Sequence, residues 1–459
     1  MDAWIEELRA LAGADLHTDA ETLRAHAGDK WHAAALPQAV LLARSTEQVS
    51  AACRCAAHHG VPITARGAGV GYVGGCVPVR GGLVISLARM NRILEINPAD
   101  GVAVAEAGVL TADLQDAVAA QGWFYPPDPA SRKESSIGGN IATNAGGPRC
   151  LKYGVTRSYV LGLTVVLADG RVLRCGGRTH KNKQGFDLVG LFCGSEGMLG
   201  IVTEAVLRLI PAPPARVALR ASFPRFALCA AAVQSILQGG HLPCALEITD
   251  AYTLAAARAY LGGDALPAGA QGHLIVELDG QAEALRAEQA AVADILRAGG
   301  AEEVVVAETP EAVEAIWQLR REFSYSLKAT GLTKLNEDIV IPRSQLVELV
   351  AFCEGLQRET GIPVACFGHS GDGNIHTNIM VQKDAAGRDV RPPADALVAR
   401  LFAWVLAHGG SITGEHGIGL AKAPWFAQAV GDTALELHRA LKAALDPQGL
   451  LNPGKMGLS

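Results

Sequence analysis

Residues 65–87 read ARGAGVGYVGGCVPVRGGLVISL. Gly69, Gly71 and Gly74 fall on the G-x-G-x-x-G spacing of a dinucleotide fingerprint, and Glu95 follows about 20 residues later. That fingerprint requires a helix directly after the glycines, because the helix N-terminus holds the pyrophosphate. Here CVPVRGG follows, with Pro78 and a second Gly-Gly pair, and then the apolar run LVISL. This is a turn and a strand, so the context argues against a Rossmann NAD fold. Glycine-rich backbone can still bind an anion, since successive N–H groups form a concave nest that glycine leaves open. A second stretch, GGNIATNAGG at 138–147, offers the same chemistry. The two could close on one dinucleotide from both sides; the plain alternative is a pair of tight turns in a sheet-rich domain.

Outward from this stretch the chain alternates short strands and helices. AVLLA (39–43) reads as a buried strand, and Ser45 with Gln48 three residues on has the spacing of a capping box. That helix runs to His59, where Gly60 stops it. Strands are expected at 61–67, 82–87, 93–97 and 101–108, and a helix at 110–122. Within 153–177 an Asp169-Gly170 turn separates two strands. The strand at 201–211 ends at a boundary marked by Pro211, Pro213 and Pro214. Beyond 215, strands alternate with longer helices, which predicts an α+β layer with helices on one face of an antiparallel sheet.

At 459 residues the chain is long enough for two or three domains. Its net charge of −6 and lack of basic runs give no nucleic-acid surface. The N-terminus is an acidic amphipathic helix rather than a signal peptide, and no window approaches ~18 uninterrupted apolar residues. A soluble cytoplasmic protein is expected. The ten cysteines include no C-x-x-C pair, so no iron–sulfur cluster or disulfide framework is expected.

FGHSGDGNIHTN (367–378) carries the clearest chemistry. Asp372-Gly373 is a hairpin turn signal, and a hairpin sets its flanks, with His369 and His376, side by side. A carboxylate, Glu415, stands further on in GEHG (414–417). Two imidazoles and a carboxylate would make a three-ligand divalent site with open positions, as a catalytic metal needs. Alone, each histidine is more often a surface or core residue than a ligand.

Several motifs together carry a family resemblance. ARGAGVGYVGG with GLVISLARMN, YPPDPASRKESSIGGNIATNAGG, KYGVTRSYVLGLTVVLADG and LFCGSEGMLGIVTEAVLRLIP resemble the FAD-binding domain of the vanillyl-alcohol-oxidase, or PCMH-type, flavoproteins. FGHSGDGNIHTNI, GEHGIGLAK and DPQGLLNPGK resemble the FAD-linked D-2-hydroxy-acid dehydrogenase branch: D-lactate dehydrogenase, D-2-hydroxyglutarate dehydrogenase and the glycolate oxidase catalytic subunit. The resemblance implies an α+β protein with a PCMH-type two-subdomain FAD-binding domain, an antiparallel-sheet α+β cap and a C-terminal helical segment returning to the flavin. The implied boundaries are a helical segment at 1–34, the FAD-binding domain at 35–214, the cap with substrate and metal residues at 215–410, and a completing segment at 411–459.

The resemblance also implies site residues. Arg66, Gly67, Ala68, Gly69, Val70, Gly71 and Gly74 would hold the FAD pyrophosphate. Pro127, Asp128, Ser131, Gly138, Gly139, Asn140, Thr143, Asn144 and Gly146 would line the flavin, with Glu196, Gly200, Ile201 and Asn452. Val70 stands where many members have threonine, and 66–75 holds no histidine, so non-covalent FAD is expected. His369, His376 and Glu415 would ligate the metal, with zinc the first choice and manganese or iron as alternatives. His416 is the candidate general base; its alternative is a residue that orients the ligands. Arg320, Ser324, Lys334, Asn336 and Asn378 would bind the substrate with His416. Lys334 is displaced two residues from the lysine of the hydroxyglutarate enzymes, where Asn336 stands, and the Ile-Pro-Arg strand ending resembles the glycolate-oxidase type.

The implied reaction oxidises a D-2-hydroxy acid, D-lactate or D-2-hydroxyglutarate, by hydride transfer to flavin N5. Electrons would leave to an external acceptor: a quinone, a cytochrome, an electron-transfer flavoprotein or an iron–sulfur subunit. The alternative is a glycolate-oxidase-like catalytic subunit that needs partner subunits. An apolar cap face suggests a homodimer.

Overall fold

Ile63–Arg66 and Leu83–Ser86 are parallel strands, and residues 67–82 join them through turns with no helix. The glycines account for this: a helix there would lose about 1 kcal/mol at each one. These strands belong to a four-stranded sheet in the order Leu16–His17, Ala39–Leu42, Leu83–Ser86, Ile63–Arg66. Helices Ala3–Ala12 and Thr46–His59 bury Trp4, Leu8, Val49 and Cys53 in one core with Ile63, Leu83 and Ile85. Ser45 caps the second helix through Gln48 N–H, and Gly60 ends it in the left-handed conformation. A second sheet, antiparallel throughout, runs Ile93–Asn97, Val102–Glu106, Ile201–Arg208, Val160–Val166, Val172–Gly176.

In this computed structural model, residues 2–262, 266–384 and 391–458 are described, and the chain divides into two units. The first, Met1–Gly147 with Gly154–Ala212 and Glu415–Ser459, holds both sheets above. The glycine-rich stretch at 138–147 is not all loop: Ile137–Thr143 is a short helix. Ser136 caps it, accepting from Gly139 N–H, and burial of Ile137 and Ile141 outweighs the poor propensity of its two glycines. The C-terminal tail returns to the same unit, where Leu451 bridges Ile63 in parallel.

The second unit, Pro148–Tyr153 and Pro213–Gly414, is built on a seven-stranded antiparallel sheet. Its order is Glu303–Ala307, Ala215–Phe223, Gly272–Gly280, Ala245–Asp250, Val364–His369, Asn374–Val381, Thr333–Val340. Side chains alternate between faces. On one face Ala218, Ile275 and Ala307 pack against Ile316 of the helix Pro310–Ala329. On the other, Gly272 lies against Phe226 and Cys229 of the helix Phe226–Gln238. Helices therefore cover both faces, not one as the strand–helix alternation suggested. Periodicity identified the elements but not the side on which each connection crosses. All ten cysteines are free.

Candidate active site

In the first unit the two glycine-rich stretches meet. A Cβ on Gly67 would sit 2.6 Å from Ser136 Oγ and 3.4 Å from Gly139 N, so only glycine allows the approach. Ala68 and Val70 are half-buried in this loop, and Gly71 is exposed, its carbonyl accepting from Lys30 N–H at 2.9 Å. Gly69 and Gly74 have positive φ. Arg66 covers Gly69 and sends its guanidinium to the Gly28 carbonyl at 2.5 Å, fixing the loop to the 25–28 segment. Pro127 and Asp128 are buried; the Pro127 carbonyl accepts from Gln115. Ser131 makes the next turn, with its carbonyl accepting from Ser135 N–H at 2.8 Å.

Some expected flavin residues are directed inward. Asn140 is buried and donates its amide to Thr111 Oγ1 at 2.6 Å. Gly200 lies against Val165 and Phe192, and Ile201 lies in the core, paired with Val166 in the sheet. Thr143 bonds the Gly139 carbonyl, Asn144 closes the helix at φ 52°, and Gly138 and Gly146 are buried.

Asn452 is the knot of this half. Its Oδ1 accepts from Ala65 N–H at 3.0 Å, and its Nδ2 donates to the Glu196 carbonyl at 2.5 Å and the Gly75 carbonyl at 3.4 Å. Glu196 in turn receives Ile418 N–H at 2.6 Å and Gly419 N–H at 2.7 Å on its carboxylate. Burial pushes that carboxyl up to about 7 despite both bonds. Glu196 thus anchors the turn after Glu415 and His416, and the His416 ring lies 5.2 Å from that of Tyr72 in the glycine loop.

The second unit gathers the other expected residues on one sheet face. The register pairs Glu247 with His369, Phe367 with His376, Asp338 with His376, Asn336 with Asn378, and Lys334 with Met380. His369 and His376 are both buried, with ring centroids 5.3 Å apart at 83°. The turn at Asp372-Gly373 joins their strands as the sequence predicts. Buried Asp338 binds Asn374 Nδ2 at 2.6 Å, Thr413 Oγ1 at 3.1 Å and Gly414 N–H at 2.9 Å. Gly414, the last residue of this unit, is bonded to Glu415; a Cβ on it would strike Asn374 Nδ2 at 2.3 Å.

Arg320 and Ser324 project one turn apart from the helix Pro310–Ala329. Arg320 Nε donates to Glu247 Oε2 at 2.5 Å, and its guanidinium carbon lies 4.8 Å from the centre of the Phe367 ring. Lys334 donates to Ser324 Oγ at 2.9 Å and lies 6.0 Å from the same ring. Burial, with repulsion from Lys328 and Arg320, lowers the Lys334 ammonium to about 8. Among the described residues no carboxylate meets Lys334, and the Arg320 Nη nitrogens have no partner. Asn378 gives its Nδ2 to the Ala365 and His376 carbonyls, which leaves its buried Oδ1 without a donor; Asn336 Oδ1 is likewise unmatched. Arg321 is exposed and pairs with Glu314.

Glu247 is the residue that sequence reasoning missed. It is fully buried between Arg320 and His369, bonding His369 Nδ1 through Oε1. Burial alone would raise its carboxyl, but its interactions with His369 and Arg320 hold it at about 2. In CALEITD a glutamate between apolar neighbours reads as a strand's solvent face. Only the helix lying over that face marks it as interior.

Comparison with known proteins agrees with both halves. Residues 212–456 match the model for FAD linked oxidases, C-terminal domain, and residues 37–176 match an FAD binding domain. The chain belongs to the FAD-linked oxidases. This FAD-linked oxidase is 40% identical to glycolate oxidase subunit GlcD of Bacillus subtilis, over 92% of this chain and 89% of that one. It is 34% identical to a D-lactate dehydrogenase of Anaerostipes hadrus (92% and 90% covered). It is 33% identical to a D-2-hydroxyglutarate dehydrogenase of Stutzerimonas stutzeri (99% and 98% covered). The solved structure of p-cresol methylhydroxylase with substrate bound shares the fold, with a TM-score of 0.80 at 21% identity over 99% and 96% of the two chains. The FAD-linked oxidase is therefore an oxidoreductase. Among its described residues no helix is long and apolar enough to cross a membrane.

Proposed function

We propose that this oxidoreductase is an FAD- and divalent-metal-dependent dehydrogenase of a D-2-hydroxy acid, with D-lactate and D-2-hydroxyglutarate the first candidates. One observation carries the substrate class. The Nη nitrogens of Arg320, and the ammonium of Lys334, which meets only the Ser324 hydroxyl, lack an anionic partner on the sheet face that bears His369 and His376. Half-buried cations that meet no carboxylate on this face suit a small anion, and a guanidinium fork suits a carboxylate. The relatives named for glycolate, D-lactate and D-2-hydroxyglutarate support a 2-hydroxy acid.

The residues present fit both groups. Gly67 lets the two glycine-rich stretches meet at Ser136 and Gly139, the close approach that two loops closing on a pyrophosphate would need. His369, His376 and Glu415 offer the nitrogen and oxygen donors of a catalytic zinc, manganese or iron site. Bound FAD would supply a two-electron acceptor, and a bound divalent cation a Lewis acid that acidifies the substrate hydroxyl. The chain's own residues would do the rest. Arg320 and Lys334 would hold the carboxylate, with Phe367 excluding water beneath them. Asn378 Oδ1 would accept from the substrate, and His416 would take the hydroxyl proton as general base. Electrons would pass to an external acceptor, either a diffusible carrier or a partner protein.

The 40% identity to a relative named as a subunit favours a second reading, a glycolate-oxidising catalytic subunit that requires partner subunits. Anaerobic mixing of the purified flavoprotein with a panel of D- and L-2-hydroxy acids decides between them. Bleaching by a D-acid, abolished by EDTA and restored by a divalent cation, is the expected result. Bleaching that survives EDTA would remove the metal, and no bleaching by any acid would favour the obligate subunit.

A further inference from the structure

We infer that Glu247 is a positioning residue that couples the acid-binding cation to the metal-ligating imidazole; this rests on the function proposed above. Glu247 stands on the strand Ala245–Asp250, directly opposite His369 in the register. One carboxylate oxygen accepts from His369 Nδ1 and the other from Arg320 Nε at 2.5 Å. The group is fully buried, so neither oxygen has water as an alternative partner.

Each bond has a consequence for the residue it reaches. With Nδ1 held as the donor to Glu247, the His369 proton is placed on that nitrogen. The Nε2 lone pair then faces away from Glu247, as a ligand to a cation requires. With Nε engaged, the guanidinium plane of Arg320 is fixed and its two Nη groups remain as a fork for a carboxylate. A single side chain thus sets the tautomer of one site residue and the orientation of the other. No other described carboxylate touches both.

The coupling can be broken without changing shape. In Glu247→Gln, the amide offers one oxygen and one NH2 where two donors must be met. If the oxygen faces Arg320, the NH2 points at His369 Nδ1, the imidazole must accept there, and its proton moves to the metal-facing Nε2. If the amide turns over, the NH2 opposes Arg320 Nε–H and the guanidinium loses its anchor. Adding Arg320→Met removes the competing donor, so the oxygen of Gln can serve His369 alone.

The test measures zinc and manganese affinity by competition with a graded chelator, and KM and kcat with D-lactate and D-2-hydroxyglutarate, on the FAD-loaded full chain. E247Q should bind the cation about 10- to 100-fold more weakly than the unaltered protein, with a raised KM and the flavin content unchanged. E247Q/R320M should recover cation affinity while its KM stays high, a pattern that simple loss of packing would not produce. If E247Q does not fold, the double variant still reads the proposal, since it must bind the cation as the unaltered protein does. Unaltered affinity in E247Q, or no recovery in the double variant, overturns the inference alone. An unaltered protein that binds neither cation overturns the metal reading and this inference with it.

Discussion

Lys334 shows at single-residue scale how a binding site can oppose folding. Its folded-state pKa of about 8 lies below the usual 10.5, so the folded chain holds this proton less tightly than the unfolded one. Burying the charged ammonium therefore costs roughly 3 kcal/mol below pH 8, and the penalty fades as pH rises from about 8 towards 10.5. Lys334→Met should raise the denaturant midpoint at pH 7 while raising KM for the acid. In the unaltered protein, KM should climb as pH passes about 8 and Lys334 loses its charge; a flat KM from pH 7 to 9.5 would exclude Lys334 from the carboxylate site. Arg320→Met should lower kcat/KM by about 30-fold or more, because a desolvated charged hydrogen bond to substrate is worth about 2–5 kcal/mol. Arg320 was legible from the resemblance of its helix to the family's arginine-bearing one. Glu247, which holds it, was not, because nothing local separates a buried strand glutamate from an exposed one.

Elements differ in how much of their role is local. The glycine loop at 67–75 could be read because glycine content and Pro78 rule out a helix without reference to the rest of the chain. The helix Ile137–Thr143 could not, because it depends on the burial of Ile137 and Ile141 against residues remote in sequence. Gly67→Ala should push the Ser136 cap away by its 2.6 Å contact and lower the flavin-to-protein absorbance ratio, with the far-UV circular dichroism unchanged. The hairpin carrying His369 and His376 was legible from Asp372-Gly373, whereas its neighbours in the sheet were not. That Ala245–Asp250 lies directly on one side of it and Thr333–Val340 directly on the other is a fact of strand order.

Across the whole chain, the C-terminal tail is the most distant contributor to the flavin half. Asn452 reaches Ala65, Gly75 and Glu196, and Lys455 donates to the Val77 carbonyl. Asn452→Ala should therefore release FAD on dilution, and the melting temperature should become dependent on added FAD, since a ligand that binds only the folded state stabilises it by mass action. A variant whose flavin content and melting temperature match the unaltered protein would remove Asn452 from the cofactor site. The two-unit division also cuts across chain order: Pro148–Tyr153, in the middle of the flavin-binding stretch, belongs to the second unit. There Arg149 pairs with buried Glu277 at 3.0 Å, and Lys152 and Tyr153 bond buried Asp279. No linear boundary drawn from prolines and composition could have found that exchange.

The sequence by itself determined the chemistry available: the glycine loops, the histidine hairpin, Glu415-His416 and the arginine-bearing helix. Each rests on residue types and short spacings, whose conformational preferences act within a few bonds. Tertiary structure alone decided which of these groups became buried, paired or left unmatched. Strand register brought Glu247 to His369, and the helix above it brought Arg320 to Glu247. Register and layer order are fixed by burial summed over a whole sheet, and no short stretch of sequence contains that sum.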